Sequence, residues 1–129
     1  MNKKALNADR IRKIKGSFSF IPHRFIRDSF INELNSSELL LYFFLILVSD
    51  GKGISYYSDK SVCKFTELSF EEVDDARSVL KALDLIAFRS PIYQVLELPF
   101  KPVKRNSIYQ ASNNFRKLQK ISQRNSNNR

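Results

Sequence analysis

Residues 58–98 of this 129-residue chain, SDKSVCKFTELSFEEVDDARSVLKALDLIAFRSPIYQVLEL, carry the clearest structural pattern in the sequence. Ser58 can cap a short helix over 59–66, because its hydroxyl can accept a hydrogen bond from a free amide of the first turn. The sequence SFEE, which starts at Ser69, is a capping-box pattern and predicts a longer helix over 70–83. A helix-turn-helix pair needs buried contacts between its helices, and the apolar residues in suitable positions are Val62, Cys63, Leu68, Val73, Ala76 and Leu80.

A β-hairpin follows the longer helix. Two β-prone runs, 85–88 and 92–98, are separated by only three residues, Arg89-Ser90-Pro91, which is a typical hairpin link. Prolines at 91 and 99 flank the second run, and proline cannot donate a hydrogen bond to a neighbouring strand. We therefore expect the second strand to lie at the edge of its sheet.

Upstream of this stretch, the sequence predicts a strand and a strongly apolar helix. Residues 54–57, Ile-Ser-Tyr-Tyr, are β-prone, and one of the two adjacent tyrosines should face inward and the other outward. Asn35, followed three residues later by Glu38, predicts the start of a helix over 36–49. Because this helix is apolar on all sides, it is either the central helix of the fold or gives one face to a partner chain.

The segment that precedes this helix carries two further patterns. Residues 17–21 alternate polar and apolar side chains, which predicts a short strand. Pro22 suits the first position of a helix, and the apolar residues from Phe25 to Leu34 repeat with a helical period. We therefore expect a helix over 23–34.

The net charge of +9 is concentrated at the two ends of the chain. Residues 1–34 carry a net charge of +5, and residues 100–129 carry +8 without a single acidic side chain. Between them, residues 35–49 contribute −1 and residues 50–99 contribute −3. A basic excess of this size predicts a polyanionic partner, which is most often nucleic acid or an acidic membrane surface.

The length suits a single domain. We predict a basic N-terminal arm over 1–16, a folded domain over 17–99 and a basic, flexible tail over 100–129. Within the tail, an apolar residue at every third position from Phe115 to Ile121 predicts a helical patch that can dock on a groove or a partner.

The composition excludes several classes of protein. With one cysteine and one histidine, a single chain cannot build a Cys/His zinc site or an internal disulfide framework.

No apolar signal-peptide core follows the basic N-terminus. The longest apolar run, 39–48, spans about 15 Å as a helix, half of the roughly 30 Å of a bilayer core. We expect a cytoplasmic protein without a membrane partner or a cofactor, and the absence of a catalytic constellation predicts no enzymatic activity.

The order of the predicted elements is helix, helix, strand, short helix, tight turn, longer helix and hairpin. This order predicts an α+β fold, a winged helix-turn-helix domain with an N-terminal strand and helix and a basic C-terminal tail. From Val62-Cys63 through Ile86 and the hairpin to Leu98, the chain resembles bacterial winged-helix domains of replication initiators and of DnaD-like N-terminal regions. Glu67 and Asp84 depart from that pattern, because glycine often occupies these two turn positions.

A second resemblance extends over residues 18–99. Phe18-Ser19-Phe20-Ile21-Pro22-His23-Arg24-Phe25, Ile54-Ser55-Tyr56-Tyr57 and Tyr93-Gln94-Val95-Leu96 are similar to segments of small bacterial helix-turn-helix proteins associated with mobile elements. The two resemblances imply a DNA-linked function.

The helix over 70–83 would be the recognition helix of such a domain, but its predicted outward face is acidic. A helix in the major groove faces two rows of phosphates and normally carries Arg, Lys, Asn or Gln. The predicted helix over 70–83 contains only two basic residues, Arg77 and Lys81. The acids of its first turn have a second explanation, because acids near a helix N-terminus interact favourably with the helix dipole. If this face binds a protein, the predicted partner-binding residues are Phe70, Glu71, Glu72, Asp74 and Asp75.

Two functional hypotheses follow. In the first, the protein binds DNA, in transcription regulation, DNA replication or plasmid and mobile-element maintenance, and its basic ends and wing contact phosphates. The predicted nucleic-acid-binding residues are Lys3, Lys4, Arg10, Arg12, Lys13, Lys15, Arg24, Arg27, Arg89, Lys101, Lys104, Arg105, Arg116, Lys117, Lys120 and Arg124. In the alternative, the domain is an assembly module that binds a protein through the acidic helix 70–83 and the apolar helix 36–49. A homodimer formed through helix 36–49 or helix 23–34 is a separate prediction.

Overall fold

The computed structural model describes residues 4–108 of the chain. The fold is mixed α+β, as predicted, with helices packed against a three-stranded antiparallel sheet. In chain order, the elements are α1 (Arg24–Arg27), α2 (Ser36–Val48), β1 (Ile54–Tyr56), α3 (Asp59–Thr66), α4 (Phe70–Ala82), β2 (Ile86–Arg89) and β3 (Ile92–Val95). Two short 3-10 turns, Ala8–Arg10 and Ile31–Glu33, precede α2. No helix of the described chain is long and apolar enough to span a membrane.

Hydrogen bonds confirm the predicted starts of the three longer helices. Asn35 and Glu38 exchange two side-chain-to-backbone hydrogen bonds, of 2.9 and 3.0 Å, at the start of α2. Ser69 and Glu72 exchange two such bonds of 3.1 Å at the start of α4. The Ser58 hydroxyl accepts a bond from the first turn of α3. Because each cap satisfies amides that a helix leaves unpaired, these residues fix where the helices begin.

Helix α2 occupies the centre of the fold, one of the two positions expected for it. It packs against α3, α4 and β3, and Leu41 and Leu45 are completely buried there. Its outer side is nevertheless apolar, because Leu40, Phe43 and Leu47 remain exposed.

The two turns around α4 use acidic residues in a conformation that favours glycine. Glu67, which ends α3, has φ of +61°, and Asp84, which follows α4, has φ of +62°. The Glu67 amide donates to the Cys63 carbonyl at 2.8 Å, and this bond closes the last turn of α3. The two positions singled out in the sequence therefore both take the left-handed conformation in which glycine is often found.

The predicted edge position of β3 is wrong, because β3 lies in the middle of the sheet. The strand order is β1-β3-β2, and β3 pairs antiparallel with both neighbours. Pro91 lies in the turn before β3 and Pro99 lies beyond its end, so neither proline removes a ladder hydrogen bond. The prediction for the tyrosines is confirmed: Tyr56 is exposed, and Tyr57 is half-buried against the ring of Phe44.

The predicted helix over 23–34 is broken. Helix α1 ends at Arg27, and Ser29 takes a left-handed conformation with φ of +66° before the 3-10 turn begins. Five residues of an α-helix rotate by about 500°, so Phe25 and Phe30 would point about 140° apart on one continuous helix. The break allows both rings to be buried in the core.

The predicted strand over 17–21 is also wrong, because these residues have no regular secondary structure. A strand needs a neighbour to satisfy its backbone groups, and none of the three described strands pairs with this segment. The segment runs instead past the end of α2, where the Ser19 hydroxyl lies 3.5 Å from the Leu47 carbonyl oxygen. Phe18 and Phe20 are exposed on it.

Candidate nucleic-acid and protein interfaces

The residues predicted to bind a protein partner form an exposed face on α4, here called the acidic face: Phe70, Glu71, Glu72, Asp74 and Asp75. Two of its acids are engaged locally. Glu72 belongs to the capping box, and Asp74 Oδ1 accepts a 3.1 Å hydrogen bond from Arg77. Within residues 4–108, Glu71 and Asp75 form no salt bridge. These two carboxylates are therefore the part of the face that can meet a cation of another molecule.

Arg77, one of the two cations of α4, is a buried connector. Its Nη1 donates to Asp59 Oδ1 at 2.7 Å and to the Tyr93 hydroxyl at 2.8 Å, and its Nη2 lies 3.4 Å from Asp59 Oδ2. The guanidinium also lies 4.3 Å from the centre of the Phe88 ring. A planar guanidinium can bind a carboxylate through two N–H groups and stack on an aromatic ring at the same time. Arg77 therefore joins α3, α4 and the hairpin, and its guanidinium is buried and not exposed on the outward face of α4.

The charge of Arg77 is stabilised in its buried place. Burial alone would lower its pKa, but the hydrogen bonds to Asp59 and Tyr93 outweigh that effect, and the pKa of Arg77 is raised. Burial raises the pKa of the Tyr93 hydroxyl, and the bond from Arg77 opposes that rise. The burial of Arg77 could have been predicted from the sequence. Residue 77 lies one helical turn after Val73, on the same side of α4 as Ala76 and Leu80, and all three of these apolar residues are buried.

The basic N-terminal arm is exposed throughout its described part. Residues 4–15 carry a single acid, Asp9, and one short turn, Ala8–Arg10, which Asn7 caps. Within residues 4–108, none of the five cations of the arm forms a salt bridge. They are Lys4, Arg10, Arg12, Lys13 and Lys15; Lys3 lies outside the described residues.

Arg24 and Arg27 share one carboxylate of the protein. Arg24 Nε donates to Asp28 Oδ2 at 2.9 Å, and Arg27 Nε lies 3.6 Å from Asp28 Oδ1. The bond from Arg24 lowers the pKa of Asp28. Arg24 Nη2 also donates to the carbonyl oxygens of Pro99 and Phe100, at 3.0 and 3.2 Å. Arg24 therefore ties α1 to the chain that leaves β3, and only Arg27 keeps an exposed guanidinium.

Arg105 is likewise a structural residue. It donates through both terminal nitrogens to the carboxylate of Glu38, at 2.9 Å for Nη2 and Oε2, and through Nη1 to the carbonyl oxygen of Glu33 at 3.1 Å. Glu38 is buried at the start of α2, where it also caps the helix. Val103 and Ile108 pack against the core on either side of Arg105. Residues 100–108 thus lie on the domain that we predicted to end at residue 99.

The remaining predicted phosphate contacts divide into three groups. Arg89, at the end of β2 beside the hairpin turn, and Lys101 are exposed. Lys104 is exposed and lies 3.6 Å from Glu33. Four further residues lie outside the described residues: Arg116, Lys117, Lys120 and Arg124. Among the predicted cations of residues 4–108, Arg24 and Arg105 are thus engaged in contacts within the fold, whereas those of the arm, Arg27, Arg89, Lys101 and Lys104 are exposed. Comparisons with protein-family models, with curated proteins and with solved structures gave no match to this chain.

Proposed function

We propose that the chain is a DNA-binding winged-helix protein whose basic ends, and not helix α4, supply the main phosphate contacts. The order of the elements from α2 to β3 and the strand order β1-β3-β2 support the winged-helix assignment. Helices α3 and α4 pack on each other across a turn at residues 67–69 and on α2, as a helix-turn-helix requires.

The observation that carries the proposal is the partition of charge between the arm and the folded body. Residues 1–16 carry six basic and one acidic side chain, a net charge of +5, and residues 109–129 carry five basic and no acidic side chains, also +5, whereas residues 17–108 carry 11 basic and 12 acidic side chains, a net charge of −1. Three of the basic side chains of the body, Arg24, Arg77 and Arg105, are also bound to carboxylates within the fold, which offset their charge. A polyanion is therefore attracted to the two ends, of which the structure describes the arm, far more than to the body.

The acidic face explains why α4 is not the phosphate-binding element. Glu71 and Asp75 would approach two rows of phosphates without a salt-bridge partner in residues 4–108 to offset the repulsion. In our mechanism the arm follows the DNA backbone or its minor groove, each bound phosphate releases counterions, and Arg89 in the wing adds a contact. The folded domain limits where the arm can reach, and α4 points away from the duplex.

Fluorescence anisotropy with a labelled random-sequence duplex tests this proposal. The arm variant Arg10→Ala/Arg12→Ala/Lys13→Ala/Lys15→Ala should bind at least several-fold more weakly than the full chain, although residues 109–129 keep their five basic side chains. The matched control removes the same charge from exposed lysines of the body: Lys52→Ala/Lys60→Ala/Lys64→Ala/Lys81→Ala. Equal losses in the two variants, or no binding by the full chain, would refute the assignment of phosphate contacts to the arm.

A second candidate function is the binding of a basic protein surface. Its specific support is that Phe70, 61% exposed, stands beside the acids of α4, and that Phe65 is exposed across the turn from it. An exposed aromatic ring surrounded by carboxylates can bind a partner segment that carries both basic and apolar side chains. The test is a titration with a labelled lysine-rich peptide. The variant Glu71→Gln/Asp75→Asn spares the cap and Arg77, and it should weaken peptide binding; unchanged binding would refute this function.

A further inference from the structure

An open apolar groove runs along the outer side of α2. It has a volume of about 460 Å³ and is lined chiefly by Ile21, Phe25, Ile31, Leu39, Leu40 and Phe43. Tyr42 lies at its floor as a neutral group, because burial raises the pKa of its hydroxyl to about 12. A contiguous apolar surface of this kind is typical of an interaction site, whereas single exposed apolar residues are not.

The groove continues into an exposed stripe on α2. Leu40, Phe43 and Leu47 follow a spacing of three and four residues, so they lie on one side of the helix. Phe43 is 47% exposed and Leu47 is 56% exposed. The only charged side chain of α2 is Glu38, which is buried on the other side of the helix. The groove and the stripe therefore suit an apolar helix face.

The described chain ends close to the start of this helix. Arg105 is bound to Glu38 in the first turn of α2, and Lys104 lies beside Glu33 just before it. Residues 105–108 have a helical backbone, and Ile108 packs against the core. The 21 residues that follow, 109–129, therefore start from the same end of α2 as the groove.

The sequence after residue 108 matches the groove in pattern and in length. If the helical turn at 105–108 continues, Ile108, Ala111, Phe115 and Leu118 fall on one stripe, with spacings of three, four and three residues. The ten residues from Ile108 to Leu118 would rise by about 15 Å, close to the rise from the start of α2 to Leu47. Lys117 and Lys120 would lie on the opposite side of such a helix.

We propose that residues 109–121 of the same chain dock as a helix on the outer side of α2, with Phe115 and Leu118 covering the groove. A tethered segment has an effective concentration in the millimolar range, which a second copy does not reach in dilute solution. Charge also favours the segment, because two copies of a chain with a net charge of +9 repel each other, whereas residues 17–108 carry −1. The proposal does not depend on DNA binding.

Disulfide trapping in the full-length chain tests the docking. In a Cys63→Ser background, the pair Phe43→Cys/Leu118→Cys should form a disulfide within one chain under mild oxidation. The control pair Phe43→Cys/Lys117→Cys places the second thiol on the opposite side of the helix and should react at least several-fold more slowly. Disulfide-linked dimers would show that a second copy covers the groove. Equal rates for the two pairs, or no disulfide, would also overturn the proposal.

A second measurement leaves the groove itself unchanged. Phe115→Asp/Leu118→Asp should uncover the groove and increase the fluorescence of an added apolar dye such as anilinonaphthalene sulfonate, while Lys117→Asp/Lys120→Asp should not. Light scattering should report a monomer for both variants and for the unsubstituted chain. Equal dye binding by the two variants, or a dimer of the unsubstituted chain that Phe115→Asp/Leu118→Asp dissociates, would overturn the proposal.

Discussion

The guanidinium of Arg77 and the carboxylate of Asp59 meet at 2.7 Å across the contact between α4 and α3. This ion pair is anchored from a third side by the Tyr93 hydroxyl in the central strand. It fixes the two helices relative to the hairpin, and it removes one of the two cations of α4 from the surface. The same contact thus stabilises the fold and leaves α4 with an acidic exposed face.

Loss of Arg77 should destabilise the protein strongly. We expect Arg77→Ala to lower the free energy of unfolding by about 3 kcal/mol, because it removes a buried guanidinium with its ion pair and leaves the Tyr93 hydroxyl without its donor. Asp59 is partly exposed, so Asp59→Asn should cost less, about 1 kcal/mol. Urea unfolding measures both values, with Lys81→Ala on the exposed side of α4 as the control. A loss for Arg77→Ala no larger than that for Lys81→Ala would contradict this role.

The buried pair of Glu38 and Arg105 should behave as a unit. Arg105→Ala should cost about 3 kcal/mol, since it leaves the buried carboxylate without its main partner. Adding Glu38→Gln should recover part of that loss, because the uncompensated charge is then gone. The exposed neighbour gives the control, and Lys104→Ala should change stability by less than about 0.5 kcal/mol. Strictly additive losses in this double-mutant cycle would show that the two side chains do not interact.

Asp50 should give the turn before β1 a pH-dependent contribution. Its Oδ1 accepts hydrogen bonds from the amides of Lys52 and Ile54, at 2.8 and 2.9 Å. The bond from Ile54 has the larger effect, and the two bonds together lower the pKa of the Asp50 carboxyl. A lowered folded-state pKa stabilises the protein above the ordinary value of 3.8, and this contribution is lost as the pH falls through the folded-state pKa. The urea midpoint of the unsubstituted protein should exceed that of Asp50→Asn at about pH 6, and the gap should shrink towards about pH 3. A gap that stays constant would contradict the assignment.

Removal of Glu71 and Asp75, the two acids of the acidic face without a local partner in residues 4–108, should not weaken DNA binding. In Glu71→Gln/Asp75→Asn, binding should be unchanged or tighter by a few-fold, because exposed charges at a distance from the duplex are largely screened. Anisotropy with the same random-sequence duplex measures the effect. Clearly weaker binding would mean that these carboxylates touch the bases, for example by accepting hydrogen bonds from cytosine amino groups.

Local signals predicted the elements of this fold better than their arrangement. The caps at Asn35, Ser58 and Ser69 and the short hairpin link act within four residues of sequence, so the sequence is sufficient to place them. The break at Ser29 depends on the burial of Phe25 and Phe30 in a core that distant residues build. The central position of β3 depends on its pairing with β1, on the other side of α3 and α4 in the sequence.

The same limit applies to the candidate site. The exposure of the arm and of the acidic face follows from local charge patterns, and both were predicted. Arg24 and Arg105 were predicted as phosphate contacts, but their partners lie 75 and 67 residues away in the sequence. Composition cannot distinguish a cation that faces solvent from one that holds two distant segments together.

The salt dependence of DNA binding distinguishes phosphate contacts made by the arm from contacts made by the folded body. Each phosphate neutralised on duplex DNA contributes about −0.9 to the slope of log affinity against log salt concentration. The full chain should show a steep slope between about 50 and 200 mM salt, the four-residue arm variant should lose about three to four units of that slope, and the four-lysine body variant should keep it. A flat response of the full chain, or an arm variant whose slope equals that of the full chain, would contradict the account.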